Sequence, residues 1–237
     1  MSYVEIENVT KKFGGKVALD SVSLRITTPS IVGLMGKNGS GKSTLLRHIC
    51  GLQLPTSGVC RTLGTDTAVL DSPELSRIGI AHQHDSLIGW MSGGRLISYV
   101  SGFYATWDTA LEERLVKLLE INRDAGVATS SPGNRQKLSL LLAVCHHPTV
   151  LLLDEPLSDL DPIARRDVID VLIEEFQGHD VAIVISSHLL HDLERIAERI
   201  VCLDAGRVVA DASLDELKEQ YGSNLDTMFR RIVGASA

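Results

Sequence analysis

From Tyr3 to Val9 apolar and polar side chains alternate with a period of two, and the alternation returns from Val22 to Ile26. This predicts strands with one buried face. Phe13-Gly14-Gly15-Lys16 falls between strand-like segments and predicts a turn. Ile31-Val32-Gly33-Leu34-Met35 is instead a short apolar run, bounded by Pro29 and a glycine-rich stretch, as suits a buried parallel strand. Leu45 to Ile49 then reads as helix. Two more apolar runs, Val150-Leu151-Leu152-Leu153 and Val181-Ala182-Ile183-Val184-Ile185, end in Asp154-Glu155 and in Ser186-Ser187-His188. Each is followed by helical periodicity, from Ile163 to Phe176 and from Leu189 to Ile200. Strands alternating with helices predict a wound α/β sheet.

Between Ser86 and Ala143 the pattern becomes helix after helix. Leu111 to Leu119 has apolar residues at helical spacing, with Glu112, Glu113, Arg114 and Lys117 on the other face. A helical lobe over 86–143 is therefore expected inside one domain of 237 residues, with the core over 1–85 and 144–212 and a polar helical tail over 213–237. The chain shows no internal repeat or low-complexity linker.

Composition narrows the partners. A net charge of −7 argues against a nucleic-acid binder, which needs a basic face. Cys50, Cys60, Cys145 and Cys202 are scattered and predict reduced thiols, not a disulfide framework. Cys145-His146-His147 and the pair His82/His84 lack a second ligand pair at finger-like spacing, so no structural metal is expected. Glu5 and Glu7 in a strand-like opening do not suit a signal peptide. No stretch of about 18 apolar residues is present, so a membrane role must come through a partner.

The chemistry concentrates in three places. Gly36-Lys37-Asn38-Gly39-Ser40-Gly41-Lys42-Ser43-Thr44 fits G-x-x-x-x-G-K-[ST] and stands between a predicted strand and helix. Such a loop turns backbone N–H groups inward on phosphate oxygens. Lys42 is placed for the β- and γ-phosphates of a nucleotide and Ser43 for Mg²⁺. Asp154 and Glu155 end a buried strand, at the edge where open α/β sheets bind ligands. Successive strand residues point to opposite sides, so the two acids have different roles: Asp154 for Mg²⁺, Glu155 for polarising the attacking water. His188 ends the next strand, and a contact to the γ-phosphate or to that water is expected.

Together these motifs resemble the ATP-binding cassette (ABC) nucleotide-binding subunits over nearly the whole chain. The resemblance implies a P-loop, RecA-like α/β core with a small N-terminal antiparallel β subdomain and an inserted helical subdomain. It implies that Phe13 stacks on adenine, that Gln83 in His82-Gln83-His84 senses Mg²⁺ and couples to a membrane partner, and that His188 is a switch residue. Ser158-Asp159-Leu160-Asp161 matches the loop after the acid pair, which puts Asp161 at the nucleotide. Ser130-Ser131-Pro132-Gly133-Asn134 matches the family's LSGGQ signature with Ser130, Pro132 and Asn134 departing from it. Ser131 and Gly133, which the family uses on the γ-phosphate of the opposite subunit, are kept. Pro132 removes a donor and is expected to tune or slow that half-site.

The resemblance further implies an ATPase using ATP and Mg²⁺, a head-to-tail dimer of two copies, integral membrane permease subunits, and a place on the cytoplasmic face of the membrane. Gly102-Phe103-Tyr104-Ala105-Thr106-Trp107-Asp108, the short stretch from Gln83 to Ser131, and the tail Ser223 to Arg231 resemble export-type members. A cassette ATPase acting on DNA or ribosomes, or a regulatory subunit with weak turnover, is the alternative. Trp90, Tyr99, Phe103, Tyr104 and Trp107 cluster in the helical region, and some of them are expected to meet the permease.

Overall fold

The computed structural model describes residues 2–82, 87–176, 179–187, 190–222, 229 and 231–232. Gln83, His188 and most of the tail after Gly222 lie outside the described residues. The chain begins with β1 (Val4–Phe13), β2 (Lys16–Ile26), β3 (Ser30–Met35), α1 (Lys42–Ile49), β4 (Ser57–Thr62), β5 (Thr65–Asp66) and α2 (Ser72–Leu75). It continues with β6 (Ile78–Ala81), α3 (Gly93–Ser101), α4 (Thr109–Leu118), α5 (Pro132–Val144), β7 (Val150–Asp154) and α6 (Pro162–Phe176). The last elements are β8 (Ala182–Ser187), α7 (Leu190–Glu194), β9 (Arg199–Asp204), β10 (Arg207–Ser213) and α8 (Leu214–Tyr221).

Two compact units result. The first joins Met1–Leu75 to Ala182–Ala237. Its N-terminal sheet is antiparallel where β1 meets β2 and β4, in the order β2-β1-β4-β5. Val4 and Ile6 of β1 and Val22, Leu24 and Ile26 of β2 are buried, as the alternation predicts; Val9, past a register shift, and Leu19 are buried too. A second layer runs β10-β9-β3-β8, with β3 parallel to both neighbours. Met35 pairs with Ser187 on one side and with Cys202 on the other, so the strand leading to the phosphate loop ends level with the strand leading to position 188. Polar ties join the layers: the Asp20 amide donates to the Gly206 carbonyl at 2.8 Å, and Arg207 Nη2 donates to Asp20 Oδ2 at 2.6 Å.

One expectation fails here. The helix read from Leu189 to Ile200 spans only Leu190–Glu194, and Ile200 lies in β9. Leu193, Ile196, Ala197 and Ile200 are all buried at helix-like spacing, but a turn at Arg195-Ile196 and then a strand bring them inward.

The second unit, Ser76–Val181, holds β6 and β7 as a parallel pair with α3 to α6. Ala81 pairs with Leu153, so the strand leading toward Gln83 ends level with the one leading to Asp154. The segment 102–108 is fastened to the turn after α5. Tyr104 stacks on His146 at 4.1 Å, the Thr106 hydroxyl donates to the His146 carbonyl at 2.8 Å, and the Asp108 amide donates to the Cys145 carbonyl at 2.7 Å. His147 Nε2 lies 3.0 Å from Asp108 Oδ2. Cys145, His146 and His147 are thus used in packing and fastening, and burial pushes the His146 pKa down to about 4. All four cysteines are buried and unbridged, and burial pushes Cys60 and Cys202 up to about 12, which keeps them as unreactive thiols.

Candidate active site

The phosphate loop belongs to the first unit. It leaves β3 at Met35 and enters α1 at Lys42. Gly36 is a site of close approach: a Cβ there would stand 2.3 Å from Ser40 Oγ and 2.5 Å from the Leu203 carbonyl. Gly41, the N-cap of α1, has φ of 110°, and a Cβ would stand 2.7 Å from the Ala18 carbonyl. Only glycine serves at both. Lys37, Asn38 and Gly39 are exposed at the rim, Ser40 and Lys42 are buried, and Ser43 and Thr44 are half-buried in the first helical turn. Lys42 Nζ donates to the Gly36 carbonyl at 2.8 Å, which closes the loop and fixes an ammonium beside it. No side chain caps α1. An uncapped helix start next to a held ammonium suits a polyphosphate anion.

Phe13 closes the β1–β2 hairpin, paired with Lys16 across Gly14-Gly15, and is 48% exposed. That exposure suits a flat ligand better than a core role. Lys11, which sequence reasoning overlooked, places its ammonium 5.1 Å from the ring centroid. Residues i and i+2 of a strand share a face, and that was the available signal.

The acid pair and the signature segment belong to the second unit. Every residue of β7 is buried, and Asp154 (3% exposed) and Glu155 (4%) remain buried at its end. Glu155 has left the strand, with φ of 51°. A non-glycine residue in that region is strained, and strain of this kind concentrates at functional positions. The turn after it is closed by Ser158, whose amide and hydroxyl both donate to the Glu155 carbonyl at 3.2 and 3.0 Å. Asp161 Oδ1 accepts from the Ile163 and Ala164 amides at 2.9 and 3.0 Å, which makes it the cap of α6. These backbone donors hold its carboxyl below the usual range.

Ser131 is the N-cap of α5, its hydroxyl accepting from the Asn134 amide at 3.2 Å. Pro132 occupies the first turn, where a missing N–H removes no intrahelical bond. Arg135 Nη1 donates to the Ser130 carbonyl at 2.6 Å and steadies the approach to the helix. A Cβ on Gly133 would stand 2.6 Å from the Asp159 carbonyl, so the signature glycine lets the acid loop lie against α5. The structure thus assembles the phosphate loop and Phe13 in one unit, and Asp154, Glu155, Ser131, Gly133 and Asp161 in the other. Ser43 in the first unit and Asp154 in the second each carry an oxygen of the hard type that Mg²⁺ takes.

The profile of the ABC transporter family matches residues 19–158. The chain belongs to that family. It is the ATP-binding subunit of an ABC transporter and an ATPase that hydrolyses ATP in transport. It is 31% identical to the uncharacterized ABC transporter ATP-binding protein YxlF of Bacillus subtilis, over 95% of this chain and 76% of that protein. It is 31% identical to the Nod factor export ATP-binding protein I of Sinorhizobium fredii, over 93% and 68% of the two chains. It is 32% identical to the phosphonates import ATP-binding protein PhnC of Rhizobium johnstonii, over 94% and 87%. Export and import members therefore stand at equal distance, and the direction of transport is not decided by kinship. The dimeric, post-hydrolysis structure of the ATP-binding cassette MJ0796 with ADP and phosphate superposes with a TM-score of 0.78 at 26% identity, over 89% of this chain and 98% of that one. The ABC ATPase fold is accordingly the one expected: an antiparallel N-terminal sheet and a parallel RecA-like core. Among the described residues, no helix is long and apolar enough to cross a membrane.

Proposed function

We propose that this ABC ATPase drives export, working as a head-to-tail pair of copies beneath separate permease subunits at the cytoplasmic face of the membrane. The observation that carries the site assignment is the uncapped start of α1 behind a loop closed by Lys42 on Gly36. In this reading Lys42 and the loop amides of Gly36 to Thr44 hold the phosphates, and Phe13 stacks on the base. Ser43, Gln83 and Asp154 serve Mg²⁺, which neutralises phosphate charge when bound. Glu155 takes the proton of the attacking water, with Gln83 and His188 as its companions. Ser131 and Gly133 of the second copy close on the γ-phosphate, with Asp161 in the loop beside them. The lobe over 86–143 carries the permease contact. Trp90 (80% exposed), Tyr99 (49%) and Phe103 (67%) are open to it, whereas Tyr104 and Trp107 are half-buried, on His146 and on Glu112. Export is supported by the likeness of 102–108 and of the tail to export-type members.

Glu155→Gln tests the composite site. The variant is expected to bind MgATP, to hydrolyse it very slowly, and to form an ATP-dependent dimer by light scattering. A variant that stays monomeric with and without ATP, alone and with its permease, counts against the shared site. Transport direction is read in sealed vesicles carrying the whole complex: ATP-driven loss of cargo from the cytoplasmic side supports export, and gain on that side overturns it.

A further inference from the structure

Phe13 is a protruding ring at a hairpin tip, and such a ring is free to swing unless something holds it. Lys11 stands two residues earlier on the same strand and is only half-exposed. Its ammonium donates to the Leu54 carbonyl at 2.7 Å and lies 5.1 Å from the Phe13 centroid. Leu54 follows the segment that leaves α1, which is folded back by the Gly51 amide on the His48 carbonyl (3.1 Å) and the Gln53 amide on the Arg47 carbonyl (3.0 Å). One cation therefore touches the ring and the chain that leaves the phosphate-loop helix.

We propose that Lys11 is a positioning residue for the nucleotide base: it covers one face of Phe13, leaves the other for a purine, and fixes the ring at a set distance from the phosphate loop. The inference rests on the reading of Phe13 as the base platform. A cation on one face of a π system leaves the opposite face available for stacking. The carbonyl tie restrains a side chain that otherwise has many rotamers, so the platform is ordered before the nucleotide arrives. The role differs from that of Lys42, because Lys11 acts on the base end of the ligand.

The test compares a ligand that has a base with one that does not. Calorimetric titrations of the full chain with MgATP and with magnesium tripolyphosphate are run on the parent, Lys11→Met, Lys11→Arg, Phe13→Ala and the Lys11→Met/Phe13→Ala double variant. Lys11→Met is expected to weaken ATP binding roughly two- to fivefold, about the worth of an exposed cation–π contact, and to leave tripolyphosphate binding and the melting temperature unchanged. Lys11→Arg keeps the cation and is expected to bind ATP like the parent. In the double variant Lys11→Met adds nothing to Phe13→Ala. Equal weakening of both ligands overturns the proposal, since Lys11 then acts on phosphate, and so does an unchanged ATP affinity or full additivity with Phe13→Ala. If Phe13→Ala alone leaves ATP binding intact, the platform reading fails and the proposal falls with it. If only Lys11→Met is silent, the platform reading stands.

Discussion

Two helices of this chain start from loops of serine and glycine, and they start differently. α1 begins at Gly41, in a left-handed conformation and with no side chain of its own to cap the helix. α5 begins at Ser131, in an extended conformation with its own hydroxyl on the Asn134 amide. A helix start needs partners for its first N–H groups. In α5 the chain supplies one from the N-cap side chain; the N-cap of α1 is a glycine and has none to give. The phosphate loop keeps every motif residue because Gly36 and Gly41 are crowded by backbone carbonyls. The signature segment departs from the family pattern at Ser130, Pro132 and Asn134, where a capped helix accepts the substitutions. Proline in particular fits a first helical turn.

The contrast can be broken most forcefully at Lys42. Lys42→Ala removes the ammonium from the phosphate end, and MgATP turnover is expected to fall to background in a protein that still folds, checked by phosphate release and circular dichroism. Near-normal turnover would mean that the uncapped start of α1 is not the phosphate site. Next comes crowding. Gly36→Ala sets a methyl against the Leu203 carbonyl, and Gly133→Ala sets one against the Asp159 carbonyl. Each is expected to lower stability by about 1–3 kcal/mol in urea titrations. Of the two, Gly36→Ala alone should also weaken tripolyphosphate binding, because the second loop is not a phosphate cradle within its own subunit.

Ser131 separates capping from contact with the γ-phosphate. Ser131→Ala is expected to remove about 1 kcal/mol of stability with the cap. Ser131→Asp keeps a cap acceptor but sets a carboxylate where phosphate is to lie, so melting should be normal and ATP-dependent dimerisation lost. A Ser131→Asp variant that dimerises and turns over normally would reduce this serine to a helix cap. The smallest effect belongs to Pro132. Pro132→Gly frees the unfolded chain and is expected to cost roughly 0.5–1 kcal/mol of stability. Turnover that changes little shows that the missing N–H is not needed in the half-site; a large rise shows that it is.

Much of this was legible in the chain because the informative residues are local. The phosphate loop is a contiguous motif between a buried strand and a helix, and β3, β7 and β8 announce themselves as apolar runs. The β9–β10 hairpin was hidden because Leu193, Ile196, Ala197 and Ile200 imitate a helix face; the signal against it was the run Ile200-Val201-Cys202-Leu203 ahead of the Asp204-Ala205-Gly206 turn. β4 and β6 are short and too weakly patterned to stand out. The left-handed backbone at Glu155, the cap made by Asp161 and the tie from Lys11 to Leu54 depend on tertiary placement that no spacing rule encodes. The aromatic cluster was half legible: its position could be read, but only packing divides Tyr104 and Trp107 from Trp90, Tyr99 and Phe103.

The bare backbone of Gly133 against the Asp159 carbonyl is a joint without free play. The Asp159 carbonyl there meets the first turn of α5 with no Cβ between them. That helix runs thirteen residues to Val144, about 20 Å at 1.5 Å per residue. At its far end Cys145, His146 and His147 grip the segment that carries Phe103. The turn after Glu155 and the segment that carries Phe103 thus lie at the two ends of one helix, joined to it at Gly133 and at Cys145 to His147.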